Sequence, residues 1–293
     1  MSAASRSGSA GLQVIPMSPV VGAEIRGVDL AHPIDDAAFA AIHRAWLDHG
    51  VLLFRDQRLT PAQEVAFSRR FGNLDMAPVD EYGRMIIPGV PEILIISNVK
   101  ENGRPIGSLG AGEAIWHQDM TYNDIPAKGS ALYAIEVPPA GGDTGFLNLY
   151  RACDAMPAAL RARLEGKFIK HDASHNSAGG LREGYAKQAD VSQYPGAIHP
   201  AFARHPETGR LAVYPGRRRN AYVMGLPVAE SEALLDELWA YLDDSRFYCH
   251  HQWRVGDLLL WDNRCVLHRR DPFDDSTRRV MYRTQIQGER PTP

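Results

Sequence analysis

Gly256-Asp257-Leu258-Leu259-Leu260-Trp261-Asp262-Asn263-Arg264-Cys265-Val266-Leu267-His268 reads as a buried strand that runs into a polar turn and is followed, a few residues on, by a histidine. A short apolar run bounded by turn formers belongs inside a sheet. Far upstream lies Trp116-His117-Gln118-Asp119. In an extended segment alternate side chains share a face, so His117 and Asp119 point the same way and can grip one cation together. Taken alone, an H-x-D tripeptide is more often a hydrogen-bonded strand histidine beside a solvated aspartate. The histidine that ends the distant run changes its meaning.

An imidazole with a carboxylate suits a divalent transition metal better than calcium, which takes oxygens only, or structural zinc, which usually takes thiolates. With His268 as third ligand, two histidines and one carboxylate occupy one side of a metal. The opposite positions stay open, the arrangement expected of a non-haem Fe(II) oxygenase.

The chain has 293 residues, 44% apolar and 23% charged, enough apolar content for a sizeable core. No composition break reads as a linker, so residues 12–293 are expected to form a single domain. A formal charge of −3 argues against a general nucleic-acid or membrane-surface role. No apolar run approaches the roughly 18 residues of a membrane span, and the amino terminus lacks a signal-peptide layout, which makes the cytoplasm the default. Cys153, Cys249 and Cys265 form no C-x-x-C pair and read as reduced packing residues.

Met1 to Gly11, nearly all Ser, Ala, Gly and Arg, reads as a disordered lead. Short strands follow over Leu12 to Leu30, with a turn near Val21-Gly22. Asp35 and Asp36 open a helix with the stripe Phe39, Ile42 and Trp46, closed by Gly50. Val51 to Phe54 is a strand, and Thr60-Pro61-Ala62-Gln63 carries the chemistry of a capped helix start. Glu92 to Ser97 is the next strand. Lys100 to Gly112, rich in glycine, lacks the lysine-serine ending of a phosphate loop and reads as a mobile lid leading into the metal motif. Further strands are expected at Ala131–Val137, Thr144–Asn148, Lys167–His171, Phe247–Trp253, Asp257–Trp261 and Arg279–Gln287. Helices are expected over Arg151–Glu165 and along the stripe Leu234, Leu235, Leu238, Tyr241 and Leu242. The sum is mainly β with flanking helices, a sandwich or barrel of jelly-roll type.

With both ends of the metal motif in view, the chain resembles the taurine and 2,4-dichlorophenoxyacetate dioxygenase (TauD/TfdA) family of Fe(II)- and 2-oxoglutarate-dependent oxygenases. The likeness rests on Trp116-His117-Gln118-Asp119, Gly141-Gly142-Asp143-Thr144, Trp261-Asp262-Asn263-Arg264 through His268, and the arginines beyond. It implies a double-stranded β-helix, the cupin-like jelly roll, with His117, Asp119 and His268 holding Fe(II). Thr144 and Arg279 match the residues that hold the distal carboxylate of 2-oxoglutarate, and Arg283 matches the position that often binds the acidic group of the primary substrate. A guanidinium fork binds a carboxylate bidentately, where lysine offers a point charge. Strand alternation sets Arg279, Met281 and Arg283 on one face and Arg278, Val280 and Tyr282 on the other. Tyr122 is a candidate pocket-wall aromatic.

The chain departs from taurine enzymes in three places. Asp75-Met76-Ala77 replaces their substrate-binding histidine, Glu113 stands where they have asparagine, and Tyr214-Pro215-Gly216-Arg217-Arg218-Arg219 puts an arginine where they place an aromatic. The implied substrate is therefore another small anion, a carboxylate or a sulfonate or sulfate ester, hydroxylated by O2 as 2-oxoglutarate becomes succinate and CO2. Hydroxylation beside a heteroatom would cleave an ether, C–O or C–S bond. Asp119 disfavours a halogenase, whose relatives lack this carboxylate. Isonitrile formation on an amino-acid derivative is a minor branch. A zinc hydrolase also uses two histidines and a carboxylate but leaves the paired arginines unexplained. A non-catalytic cupin-like organic-acid sensor keeps the arginines without an open iron position. The family likeness also implies a homo-oligomer, dimer or tetramer.

Overall fold

The computed structural model describes residues 11–78, 87–108, 115–176 and 179–293. The expected disordered lead, Gly11 apart, and residues 109–112 of the candidate lid lie outside them. The run that opens the sequence reading supplies the strand Leu258–Asp262, buried at every position. It sits between Val51–Phe54 and Ala127–Glu136 in a seven-stranded sheet. Leu259 pairs with Leu53 on one side and Leu132 on the other. Val280–Gln287 and then Leu94–Ser97 extend the sheet beyond Ala127–Glu136. At the other end lie Ala23–Arg26 and Gln13–Pro16. All pairings are antiparallel except that of Ala23–Arg26 with Val51–Phe54.

A second sheet has Thr144–Asn148 between Tyr248–His251 and Val266–Arg270. Phe146, Leu147 and Leu267 belong to one apolar core with Leu132, Leu259 and Met281 of the first sheet. Alternate residues of the large sheet, among them Leu52, Ala131, Leu258 and Leu260, bury a second cluster under the amino-terminal helices. Two faces buried by two different layers explain why Leu258–Asp262 shows no polar alternation.

The helices begin and end where their caps dictate. Asp35 accepts from the Ala38 N–H at the start of Asp36–His49, and Gly50, at φ 71°, closes it. Thr60 and Gln63 form a reciprocal capping box ahead of Pro61–Ser68. The expected helix over Arg151–Glu165 is instead two, Leu149–Asp154 and Ala158–Leu164, since Pro157 has no N–H to continue the ladder. Val228–Leu242 buries Leu234, Leu235, Leu238 and Leu242 as its stripe predicts.

Other features also differ from expectation. Lys100–Glu101 and Arg104–Pro105 pair into a small hairpin within the glycine-rich loop, turning at Asn102 and Gly103, both left-handed. An Asn-Gly pair at positive φ is the preferred two-residue hairpin turn. Strands at Gly196–Pro200, Phe202–Arg204 and Leu211–Val213 were also not foreseen.

Candidate active site

The two candidate histidine ligands are cross-strand partners. His117 N–H donates to the His268 carbonyl (3.0 Å) and His268 N–H to the His117 carbonyl (2.9 Å). Directly opposed residues present their side chains on one face, and the two rings lie 4.2 Å apart between centroids. Asp119 Oδ1 is 3.9 Å from His117 Nε2 and 3.8 Å from His268 Nε2. Among the described residues this is the one group of three whose ligand atoms gather closely enough for a metal, all within 4.8 Å.

Neighbours hold each ligand in place. His117 Nδ1 lies 2.9 Å from the Ile115 carbonyl. That nitrogen must carry the proton, which leaves the Nε2 lone pair toward the site. Trp261 packs on His268 with ring centroids 4.7 Å apart. Ser130 donates to Asp119 Oδ2 (3.0 Å). Asn263, wholly buried, accepts from Asp119 N–H (2.7 Å) and donates to the carbonyls of Asp119 (2.9 Å) and Ala127 (2.8 Å). Asp262 is clamped by His205 (3.0 Å) and Arg264 (2.7 Å), so the turn that presents Asn263 is itself fixed.

Electrostatics suit a cation. Burial raises the Asp119 pKa, but Arg283, His268 and His117 together with the Ser130 hydrogen bond hold it well below the usual carboxylate range. Burial, with the charges of His117 and Arg283, pulls His268 down to about 3 against the attraction of Asp119. A neutral imidazole and an ionised carboxylate are the forms that bind metal. A mixed nitrogen and oxygen set on one side fits Fe(II).

Beside the triad an inner cavity is walled by Thr144, Arg270, Arg279 and Arg283 as well as both histidines. Arg279 is 2% exposed and its Nε has no hydrogen-bond partner. Burial, with Arg270 alongside, draws its pKa down to about 9, opposed by Asp143. A buried guanidinium in this state calls for an anion, and these residues fit a small dicarboxylate that reaches from the metal to Arg279. Gly142, at φ 69°, sits against this arginine: a Cβ there would stand 3.4 Å from Arg279 Cδ and Nε and 3.0 Å from Pro138 Cγ. Thr144 Oγ1 accepts from Trp253 Nε1 at 2.9 Å. Arg278, on the opposite strand face, pairs with Glu136 at the surface, as alternation requires.

A second, larger cleft opens over the triad and shares His117 and Arg283 with the inner cavity. Arg283 Nη1 lies 3.4 Å from Asp119 Oδ1. Tyr122 lines this cleft under the Arg182 guanidinium, 4.1 Å from its ring centroid. Each site residue singled out in the sequence thus borders one of the two cavities. Missed in the sequence were Ser130, Trp253 and Arg270. Only the last carried a signal, lying two residues beyond His268 on the same strand face.

The chain matches the family model described as Taurine catabolism dioxygenase TauD, TfdA family, over residues 13–285. It is 35% identical to an (S)-phenoxypropionate/alpha-ketoglutarate-dioxygenase of Sphingobium herbicidovorans, over 96% of both chains. It is also 35% identical to an alpha-ketoglutarate-dependent 2,4-dichlorophenoxyacetate dioxygenase of Cupriavidus pinatubonensis, over 92% of this chain and 95% of the relative. Among solved structures, a taurine dioxygenase from Burkholderia xenovorans superposes with a TM-score of 0.77 at 32% identity, over 96% of this chain and 93% of that one.

Proposed function

The chain belongs to the TauD/TfdA family of Fe(II)- and 2-oxoglutarate-dependent dioxygenases, and on that premise we propose that His117, Asp119 and His268 are its iron ligands. Thr144 and Arg279 seat the distal carboxylate of 2-oxoglutarate, and Arg283 receives the acidic group of a small organic substrate, with Tyr122 as a wall of its cleft. The chemistry supplied by iron, 2-oxoglutarate and O2 is oxidative decarboxylation to succinate and CO2 with hydroxylation of a substrate C–H bond. The observation that carries the residue assignments is the His117–His268 backbone pair, which sets both imidazoles beside Asp119 with buried Arg279 next to them.

The protein's own part is to bind, orient and exclude water. The Ile115 carbonyl and the Asn263 amide fix His117 and Asp119 before any cation arrives. Arg279 and Thr144 would hold the distal carboxylate of the cosubstrate in the inner cavity beside the triad. Arg283, between the cavities, orients the substrate over the same side. The substrate class is a carboxylate, or a sulfonate or sulfate ester, and hydroxylation of a carbon beside a heteroatom would give a product that collapses to a carbonyl compound, breaking the C–O or C–S bond and releasing an alcohol, sulfate or sulfite. Free Cys153, Cys249 and Cys265 support a cytoplasmic, reducing setting, and no described helix is long and apolar enough to cross a membrane. Self-association as a dimer or tetramer completes the reading.

Anaerobic addition of Fe(II) and 2-oxoglutarate tests it through the visible metal-to-ligand charge-transfer band. His117→Ala is expected to abolish the band. Arg279→Ala should weaken 2-oxoglutarate binding while metal stays bound. Arg283→Ala should spare cosubstrate binding and impair coupling to substrate; unchanged turnover of a good substrate in that variant would remove Arg283 from its role.

A further inference from the structure

The extended segment that carries His117 has a bridge partner on each side. On one side stands His268, and on the other His117 forms an antiparallel bridge with Arg217. Gln118 N–H donates to the Gly216 carbonyl at 3.0 Å, so His117 and Arg217 face each other next to a ladder hydrogen bond. Paired residues share a face, with Cα atoms about 4.5–5.5 Å apart. Since the His117 and His268 rings meet on the metal face, His268, His117 and Arg217 form one row. Arg217 and Arg283 both line the outer cleft.

Arg217 is held there by design of its surroundings. Its Nη2 donates to the carbonyls of His175 (3.1 Å) and Asp172 (3.4 Å) and lies 3.9 Å from Asp172 Oδ2. Asp172 is itself gripped by Ser174 (2.5 Å), Asn220 (3.0 Å) and His175 (2.8 Å). With that carboxylate tied into four neighbours and Asp119 turned to the metal, two of the cleft's acidic groups are already engaged. Arg217 and Arg283 thus both belong to the wall of the one cleft that also holds His117 and Asp119.

We propose that Arg217 is a second anion-binding residue for the primary substrate, so that preferred substrates are bifunctional acids. One acidic group faces Arg283, and a second carboxylate or strong oxygen acceptor faces Arg217, with the oxidised carbon between them. This rests on the assignment of the preceding subsection and narrows its substrate class.

The test compares matched pairs, phenoxyacetate with (4-carboxyphenoxy)acetate and hexanoate with adipate. Each is titrated by calorimetry into protein loaded with Mn(II) and saturating 2-oxoglutarate, with succinate formation followed separately on the Fe(II) enzyme. The diacid of at least one pair is expected to bind tenfold or more tightly than its monoacid. Arg217→Gln should bring that ratio near one by raising the Kd and KM of the diacid more than those of the matched monoacid. Arg217→Lys should recover part of the preference, and melting temperatures identify any variant that fails to fold. Equal binding of monoacids and diacids by the wild type, or a ratio that Arg217→Gln leaves intact, overturns the proposal. Absence of the Fe(II)-2-oxoglutarate band in the wild type would instead strike the underlying assignment.

Discussion

Asn263 offers no ligand, yet its amide decides where Asp119 stands. Asn263→Ala strands the Asp119 N–H and two carbonyls, and each orphaned buried group costs about 1–3 kcal/mol. The variant is expected to melt well below the wild type and to lose about 10–100-fold in Fe(II) affinity, measurable by competition with a chelator. Gly216 is as constrained: at φ 64°, a Cβ would fall 2.0 Å from Nδ1 of buried His171. Gly216→Ala should shift the segment that carries Arg217 and weaken substrate binding more than 2-oxoglutarate binding, read as separate Kd values. At this scale the sequence was legible where chemistry is concentrated, as in His117, Asp119 and Arg279. It was silent on Ser130 and Trp253, whose polar atoms gain meaning only once folding sets them against Asp119 and Thr144.

Elements were legible where local rules agree with packing. Asp35, Thr60 and Gly50 mark helix ends by their own hydrogen bonds and dihedrals. Gly50→Ala should cost about 1–2 kcal/mol for its left-handed backbone alone, and more because a Cβ would lie 2.9 Å from Val266 Cγ2; denaturant melts read the loss. The strand Val266–Arg270 was hidden because His268, Arg269 and Arg270 break the apolar pattern a strand usually shows. Helix Pro61–Ser68 buries Glu64 completely with neither carboxyl oxygen partnered. Burial raises its pKa well above the usual value, so the folded state holds a proton that the unfolded chain releases near its ordinary pKa. Stability from this group is full below that pH and declines by about 1.4 kcal/mol per unit as pH rises toward the folded value. Glu64→Gln is expected to raise the melting temperature at pH 8 more than at pH 5. Equal gains at both would refute a protonated Glu64.

At the scale of the molecule, jelly-roll architecture could be expected from many short strands, while strand order could not, because the pairs are set by contacts across most of the chain. The residues proposed to hold cosubstrate and metal come from both sheets, so ligand binding is expected to brace the whole fold. At a hundredfold excess over Kd each ligand adds about 2.7 kcal/mol. Fe(II) with 2-oxoglutarate is expected to raise the melting temperature by about 5–10 °C, and Arg279→Ala should forfeit the 2-oxoglutarate share. The place of Leu258–Asp262 between Val51–Phe54 and Ala127–Glu136 also bears on biosynthesis. At about 5–20 residues per second on the ribosome, the central strand trails its first neighbour by some tens of seconds. During that interval two apolar strands wait with open edges, a state that invites aggregation. The proposed ligand set cannot close before His268 is made, so nascent chains are expected to depend on shielding until translation is nearly done.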